Sequence, residues 1–281
     1  MRVPLVGWDH VCIPKSEGGL GVRNSVHWNL ATIGKLVWWI YSKPDSLWVK
    51  WVHQIYIKND TWSDHVPKCH MSGNWKAICK TRDLFQSGYS HGTWLADLTG
   101  YTVKSGYDWL RLKETKVGWS KLVWNNAAVP KHCFVNWLIM RKALNTKVKL
   151  HRIGVSADDL CCICQVNSET ITHLFQQCPY VLQLLELACD WLQIPIPQGN
   201  ALIWTGRRNW SQVQKDICVA VFMAVHYMVW QQRNSARLDG VLVRPKVAFT
   251  QCKNLMKIRL SCQSSKVVRA SDRDWITCIM S

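Results

Sequence analysis

The amino-acid sequence predicts a mainly α-helical protein that carries one small zinc-binding knuckle of the Cys-Cys-His-Cys type. Three observations support this fold class. Apolar side chains recur at helical spacing in several stretches of the 281-residue chain. Prolines and polar turn residues separate those stretches. Between residues 161 and 178, three cysteines and one histidine have the spacing of a metal site.

The first predicted part, residues 1–85, is interpreted as a connector made of helices. A glycine-rich turn at residues 18–21 comes first. A helix is expected to follow, because the apolar residues within positions 30–40 share one helical face. Pro44 then breaks the chain, and Ser46 is expected to cap a second helix.

The second predicted part, residues 86–185, ends with the zinc knuckle. A short strand or turn at residues 102–105 is expected to lead into a helix at residues 106–112. Another helix is expected to follow Pro130, which suits the first helical position. The polar pair at residues 145–146 is expected to cap a further short helix.

The third predicted part, residues 186–281, is also helical. An apolar helix at residues 181–192 leads into it, and the longest helical pattern follows at residues 210–238. The basic end of that pattern, with Arg233 and Arg237, suits the negative end of a helix dipole. Residues 261–281 are polar, and we expect them to be loosely ordered.

The most informative feature is the pattern C-x2-C-x8-H-x4-C, formed by Cys161, Cys164, His173 and Cys178. Three thiolates and one imidazole are a usual tetrahedral set for Zn²⁺, with bonds of about 2.3 Å to sulfur and about 2.0 Å to nitrogen. Because the protein fills all four positions, no place is left for a catalytic water. The sequence therefore predicts a structural zinc site with these four ligands.

The residues between the ligands suggest how the knuckle is built. Asn167 and Ser168 are candidate helix caps, after which a short helix from Glu169 would present His173. Pro179 is expected to end that helix. Cys162 is interpreted as a spare thiol that points away from the metal.

Two other interpretations of these cysteines stay open. They could be ordinary core thiols, or they could form disulfides. The histidine at a ligand position argues against chance spacing, and no large apolar block surrounds the cluster in the sequence. Zinc is the favoured interpretation.

Cysteine usage and hydrophobic runs bear on the compartment. The chain has 13 cysteines, irregularly spaced outside the cluster, and no apolar leader at its start. This favours a reducing compartment, the nucleus or the cytoplasm. No run approaches about 18 uninterrupted apolar residues, so we expect no membrane span and no membrane partner.

The charge balance indicates a polyanionic partner. Lysine and arginine number 35 against 18 acidic residues, a formal net charge of +17. We expect RNA or DNA to be that partner, although a generally basic protein without a specific partner would have the same charge. The candidate phosphate contacts are Lys131, Arg141, Lys142, Lys147, Lys149 and Arg152.

Several of the 18 tryptophans lie beside cations, but core packing is the favoured role for any one of them.

A set of short pieces along residues 94–179 carries a family resemblance. The pieces are residues 101–107 (YTVKSGY), Trp119, Leu122, Trp124, residues 129–131 (VPK), Trp137, residues 143–147 (ALNTK), Leu150, Arg152, Gly154, residues 160–164 (LCCIC), Glu169, residues 173–175 (HLF) and residues 178–179 (CP). In order and spacing they resemble the zinc-binding domain that follows the polymerase in reverse transcriptases of plant non-LTR (LINE-type) retrotransposons. Residues 18–23 (GGLGVR), Trp230 and residues 233–234 (RN) resemble the flanks of that domain.

The resemblance implies a post-polymerase, C-terminal region that binds zinc and nucleic acid. The polymerase of this family uses paired aspartates to hold Mg²⁺, and the Asp-Asp pair here, Asp158–Asp159, lies in the loop before the knuckle. We therefore expect no enzyme activity from this chain, with a polymerase domain encoded upstream as a candidate partner. Two alternatives stay open: the chain belongs to an active RNA-directed DNA polymerase in a longer protein, or it is an inactive retroelement relic that acts only as a spacer.

Overall fold

The computed structural model describes residues 5–42, 45–90, 100–262 and 270–281. About 63% of the structure is helical, and the described residues contain no strand. The predicted mainly α-helical class is therefore confirmed. Trp94, where the resemblance begins, and Pro44, the expected helix break, lie outside the described residues.

The chain forms two compact units, and residues 8–14 with 19–114 make up the first, here called the amino-terminal unit. Its helices are α1 (Trp8–Cys12), α2 (Ser25–Ser42), α3 (Leu47–Val52), α4 (Gly73–Ser90) and α5 (Val103–Leu110). Helix α2 packs against both α4 and α5. Its apolar face, predicted from the sequence, supplies the buried Val37 and Ile40.

Helix α5 begins where the sequence favoured a strand or turn, so that expectation is wrong. Thr102 Oγ1 accepts a hydrogen bond from Ser105 N, and Ser105 Oγ accepts one from Thr102 N, both at 3.0 Å. This reciprocal capping box satisfies two backbone donors that a helix start otherwise leaves unpaired. Residues 103–105 are therefore the first turn of the helix.

Tryptophans fill much of the core of the amino-terminal unit. Trp62 and Trp75 are 7% and 3% exposed, and Tyr56 stacks on Trp75 with ring centroids 4.5 Å apart. Core packing, the role favoured from the sequence for any one tryptophan, is therefore observed for Trp62 and Trp75. Trp51, on α3, is instead 48% exposed.

The carboxy-terminal unit comprises residues 1–7, 15–18 and 115–281. Its helices are α6 (Ser120–Val123), α7 (Pro130–Met140), α8 (Lys147–Arg152), α9 (Pro179–Leu192), α10 (Ala201–Gly206), α11 (Gln212–Leu238), α12 (Pro245–Ser261) and α13 (Ala270–Met280). The predicted three-part division at residues 85 and 185 does not coincide with these two units and stays a prediction.

Helix α11 is the centre of the carboxy-terminal unit. Residues 217–226 are buried on every side, and α7, α9, α10 and α12 pack around the helix. By length and composition, α11 is the one helix of the described residues that could cross a membrane, yet 61% of its most apolar stretch is buried in the protein. A helix that is apolar all round and covered by other helices is typical of a core helix. No clear membrane span follows.

The tail differs from its prediction, because residues 270–280 form α13 where a loosely ordered segment was expected. Two indoles connect this helix to α9. Trp275 Nε1 donates to Leu192 O at 2.9 Å, and Trp191 Nε1 donates to Ile279 O at 2.7 Å. The two contacts join residues 83 and 88 positions apart, so the composition of the tail alone did not indicate them.

Candidate metal centre

The four predicted ligands lie together in the carboxy-terminal unit. One ligand atom from each of Cys161, Cys164, His173 and Cys178 lies within 4.8 Å of the other three. Cys164 Sγ is 3.3 Å from His173 Nε2, which identifies the ring nitrogen that faces the cluster. A tetrahedral zinc separates its ligand atoms by roughly 3.5–3.8 Å, as its bond lengths require. The donor chemistry and the spacing therefore fit Zn²⁺.

A tight loop positions the first cysteine pair. Cys161 N donates to Asn167 O at 2.8 Å, and Gln165 N donates to Cys161 O at 2.9 Å. Leu160 and Ser168 form an isolated antiparallel bridge at the base of this loop. The loop turns back through Gln165, which has a left-handed φ of 55°. Both sulfurs of the pair can therefore point to one side.

A widened helical turn positions the second pair. His173–Gln177 forms a π-helical turn, in which Cys178 N donates to His173 O at 2.7 Å. In a regular α-helix five residues advance about 140° beyond a full turn, which would place His173 and Cys178 on different sides. The wider π turn brings the two together. The x4 spacing of the motif thus depends on this local geometry.

The start of this turn differs from the prediction, and its end agrees with it. Helical residues begin after Thr170, whose Oγ1 accepts a hydrogen bond from His173 N at 2.9 Å, the arrangement of a helix N-cap. Asn167 and Ser168 belong instead to the preceding loop, so their assignment as caps is wrong. The predicted end at Pro179 is confirmed: the turn stops at Gln177, Cys178 is extended with a ψ of 132°, and Pro179 begins the separate helix α9.

Burial and hydrogen bonding set the protonation of the thiols. Cys161 and Cys178 are fully buried, and the side-chain interaction between their sulfur atoms lowers the pKa of Cys161. The same interaction raises the pKa of Cys178, so the metal-free pair retains a proton that a divalent cation can displace. Burial, with the nearby Glu169 carboxylate, raises the pKa of Cys162 to about 11. The Cys162 sulfur is not part of the converging group.

Glu169 supports the cluster from within the fold, although it is no ligand. Its side chain is fully buried, and Oε1 accepts from Lys147 N at 2.8 Å, at the start of α8. Oε2 accepts from Cys162 N at 3.2 Å, beside the first ligand. One carboxylate therefore joins the knuckle to α8, whose cap residue Thr146 makes no side-chain cap bond.

Arg233 completes this arrangement from α11. Its Nη2 and Nε donate to Glu169 Oε1 at 2.7 and 3.0 Å, and Nη2 also donates to Asn145 O at 3.0 Å. The residue is 2% exposed, so besides lying near the end of α11 it forms a buried ion pair, which the helix-dipole interpretation did not include. A signal was present in the sequence. Arg233 follows Phe222, His226 and Val229 at helical spacing on the buried face, where an arginine requires an acidic partner.

The six predicted phosphate contacts divide into two groups. Lys131, Lys142 and Arg152 are exposed, and Arg141 is half-buried. Lys131 Nζ lies 5.0 Å from the ring centroid of Tyr227, a cation–π contact. The exposed three are free to meet a polyanion.

The other two cations take part in the fold. Lys147 pairs with Asp158, whose Oδ1 also accepts from Leu160 N at 2.9 Å. The hydrogen bond from Lys147 lowers the pKa of Asp158, so this loop carboxylate is structurally engaged as well as solvated. Lys149 Nζ donates to Ala143 O at 3.3 Å. Substituting these two lysines would disturb the fold as well as any phosphate contact.

Comparison with known proteins finds a family that is similar to the segment containing the cluster. Residues 101–184 match the family described as zinc-binding in reverse transcriptase, and this range contains all four converging residues. This segment is similar to the zinc-binding region of reverse transcriptases. The resemblance predicted from the sequence is thereby confirmed, and the family match together with the Cys₃His set supports zinc as the metal.

A curated relative agrees with this link. It is a protein of Arabidopsis thaliana whose name describes a ribonuclease H protein, and it is 37% identical over 89 residues. The aligned stretch is 30% of this chain and 14% of the relative. No solved structure matches the chain.

Proposed function

We propose that this chain is a zinc-stabilised, nucleic-acid-binding segment of a non-LTR retrotransposon reverse transcriptase, from the region that follows the polymerase. The observation that carries the proposal is the closed Cys₃His set, which is largely buried and joined through Glu169 to α8 and α11. Four protein donors complete a tetrahedral zinc, so the metal has a structural role and no open position for chemistry.

Cys161, Cys164, His173 and Cys178 are the ligands in this proposal. Zinc would close the knuckle and fix its loop against α8 and α9, the elements that flank it in sequence. Structural zinc sites contribute roughly 10–16 kcal/mol of apparent binding energy to small folds. The knuckle, which contains a short loop and one π turn, depends on that contribution more than the helical core does.

Nucleic acid is the proposed partner. The net charge of +17 supports it, as do the exposed cations Lys131, Lys142 and Arg152 in the same unit as the knuckle. Phosphate contacts of this kind supply sequence-tolerant affinity that depends on salt. The names of the matched family and of the Arabidopsis relative both describe proteins that act on nucleic acid.

We propose further that the chain has no catalytic centre of its own. The alternatives are an active polymerase supplied in a longer protein and a relic that serves only as a spacer. The ribonuclease H activity in the relative's name is not transferred, because the aligned stretch is 14% of that protein.

Two assays on the purified zinc-loaded chain test these statements. We expect single-stranded RNA to bind at low salt, and we expect chelation of the zinc to weaken that binding. We expect no extension of a primer–template with dNTPs and Mg²⁺. Extension would establish a polymerase, and a failure to bind RNA or DNA at low salt would favour the spacer.

A further inference from the structure

A cavity of about 400 Å³ lies beside α10, away from the residues assigned above to zinc and phosphate. It is lined by Gln198, Asn200, Ile203, Trp204, Arg207 and Arg208. Its size falls within the range of small-ligand sites. The lining is mostly polar, with two arginines, one indole and two side-chain amides. A ligand with both a flat ring and a negative charge would match this set.

One of the two arginines of the cavity is stacked on an aromatic ring. The Arg208 guanidinium carbon lies 4.1 Å from the ring centroid of Trp204. Trp210 meets the same indole edge-on, with centroids 5.6 Å apart. Arg207 and Arg208 are both exposed, and neither forms an ion pair with an acidic residue of the described chain. Their charges are therefore available to a ligand.

The backbone that presents this platform is well fixed. Asn200 Oδ1 accepts from Leu202 N and Ile203 N, both at 3.1 Å, which caps the start of α10. Thr205 Oγ1 is buried and donates to Ala201 O at 2.8 Å. Because the helix is held in place, binding would not require the arginines' backbone to be ordered first.

We propose that this cavity binds an unpaired nucleotide of a single-stranded nucleic acid. The base stacks on the guanidinium–indole platform of Arg208 and Trp204, and Arg207 contacts the adjacent phosphate. Bases stack on aromatic rings and on guanidinium planes when they are unpaired, which favours a single strand over a duplex. An acidic peptide would use the charges but would leave the flat stacking surface without a partner. This inference rests on the proposed nucleic-acid binding.

The test compares two double variants of the zinc-loaded chain by fluorescence anisotropy with a labelled single-stranded oligonucleotide. Arg207→Gln with Arg208→Gln removes the two cations of the cavity. Arg237→Gln with Arg244→Gln removes two exposed arginines outside it and serves as a control of equal charge. The same titrations are repeated with a strand of equal length whose sugars carry no bases.

We expect the cavity variant to raise the Kd about tenfold, and the control pair to raise it less than about threefold. On the base-free strand the two variants should lose affinity equally, since stacking no longer contributes. Equal losses on the normal strand, or equal loss by the cavity variant on both strands, would overturn the cavity assignment and leave general phosphate binding. A wild-type chain that binds no strand at low salt would instead overturn the proposed function, and this inference with it.

Discussion

Arg233 donates two hydrogen bonds to a single buried oxygen, Glu169 Oε1, across 64 residues of sequence. The two side chains are 3% and 0% exposed. The pair joins the central helix α11 to the loop that carries the candidate zinc ligands. The metal centre is therefore part of the folded core of its unit rather than an independent appendage.

The ion pair leads to a prediction about stability. Glu169→Leu should lower the free energy of unfolding by about 3–5 kcal/mol, because it leaves a buried guanidinium without its counter-charge. Replacing both residues, as Glu169→Leu with Arg233→Met, should cost much less than the sum of the two single changes. Urea unfolding of the zinc-loaded protein, followed by circular dichroism, measures all three.

Asp158→Asn is the matched control, because it breaks the neighbouring Lys147 ion pair, in which Asp158 is about half exposed. We expect a far smaller loss of stability there, since solvent screens an exposed pair. Additive costs for the two core substitutions would show that Glu169 and Arg233 do not act as a unit.

The cap of the ligand-bearing turn gives a second prediction. Thr170→Ala removes the hydroxyl that accepts from His173 N, and should reduce stability by about 1 kcal/mol. Because that turn holds two of the candidate ligands, zinc affinity should fall with it. Thr170→Ser keeps the acceptor and should keep the affinity, as measured by competition with a chelator. Equal zinc affinity in the alanine and serine variants would show that the Thr170 cap does not contribute to metal binding.

Two buried histidines predict how stability depends on pH. Burial lowers the pKa of His132 and of His226 from 6.5 to about 4. Between these values the unfolded chain binds more protons than the folded one, so stability is complete above pH 6.5 and falls as the pH drops toward 4. Each histidine should contribute about 1.4 kcal/mol per pH unit within that window. Urea midpoints measured from pH 7.5 to 5 test the slope.

A substitution at His132 separates this effect from protonation of the metal ligands. Neither ring nitrogen of His132 has a hydrogen-bond partner among the described residues, although the ring packs on Tyr227 with centroids 4.6 Å apart. His132→Phe should therefore leave the free energy of unfolding unchanged or higher at pH 7.5. It should also reduce the slope of stability against pH by the contribution of one histidine, about 1.4 kcal/mol per pH unit. A slope identical to that of the wild type would mean that His132 does not titrate on unfolding.

Much of this molecule could be predicted from its sequence, because the relevant signals are local. Helical periodicity and the proline at the start of α7 give most helices, as in α7 from Pro130 and the apolar pattern at residues 181–192, which lies within α9. The metal-site spacing identifies the same four residues that converge in the structure.

The errors arise where the outcome depends on a single long-range or geometric detail. The π turn at His173–Gln177 has no signature in periodicity, and the cap of this helical segment is Thr170 rather than Asn167 or Ser168. The charge of Arg233 alone does not distinguish a helix-dipole role from a buried ion pair. That distinction depends on its contact with Glu169, 64 residues away. The tail helix is stabilised by Trp275, whose hydrogen-bond acceptor lies 83 residues away.

The distribution of cations predicts the salt dependence of nucleic-acid binding. Replacing the exposed Lys131, Lys142 and Arg152 by glutamine should reduce the slope of log K against log salt by up to about 2, at about 0.7 per phosphate contact on a single strand. Sequence preference should stay nearly constant, because phosphate contacts carry no base information. Binding titrations at several salt concentrations measure this. An unchanged slope would place the phosphate contacts elsewhere on the chain.

The central claim is that the Cys₃His cluster binds a structural zinc, and elemental analysis of the purified protein tests it most directly. Cys162→Ser serves as the internal control, since Cys162 is adjacent to Cys161 but absent from the converging group. We predict about one zinc per chain in the wild type and in Cys162→Ser, with loss of the metal and of the local fold in Cys178→Ser. A folded wild-type protein without zinc, or zinc retained in Cys178→Ser and lost in Cys162→Ser, would contradict the account.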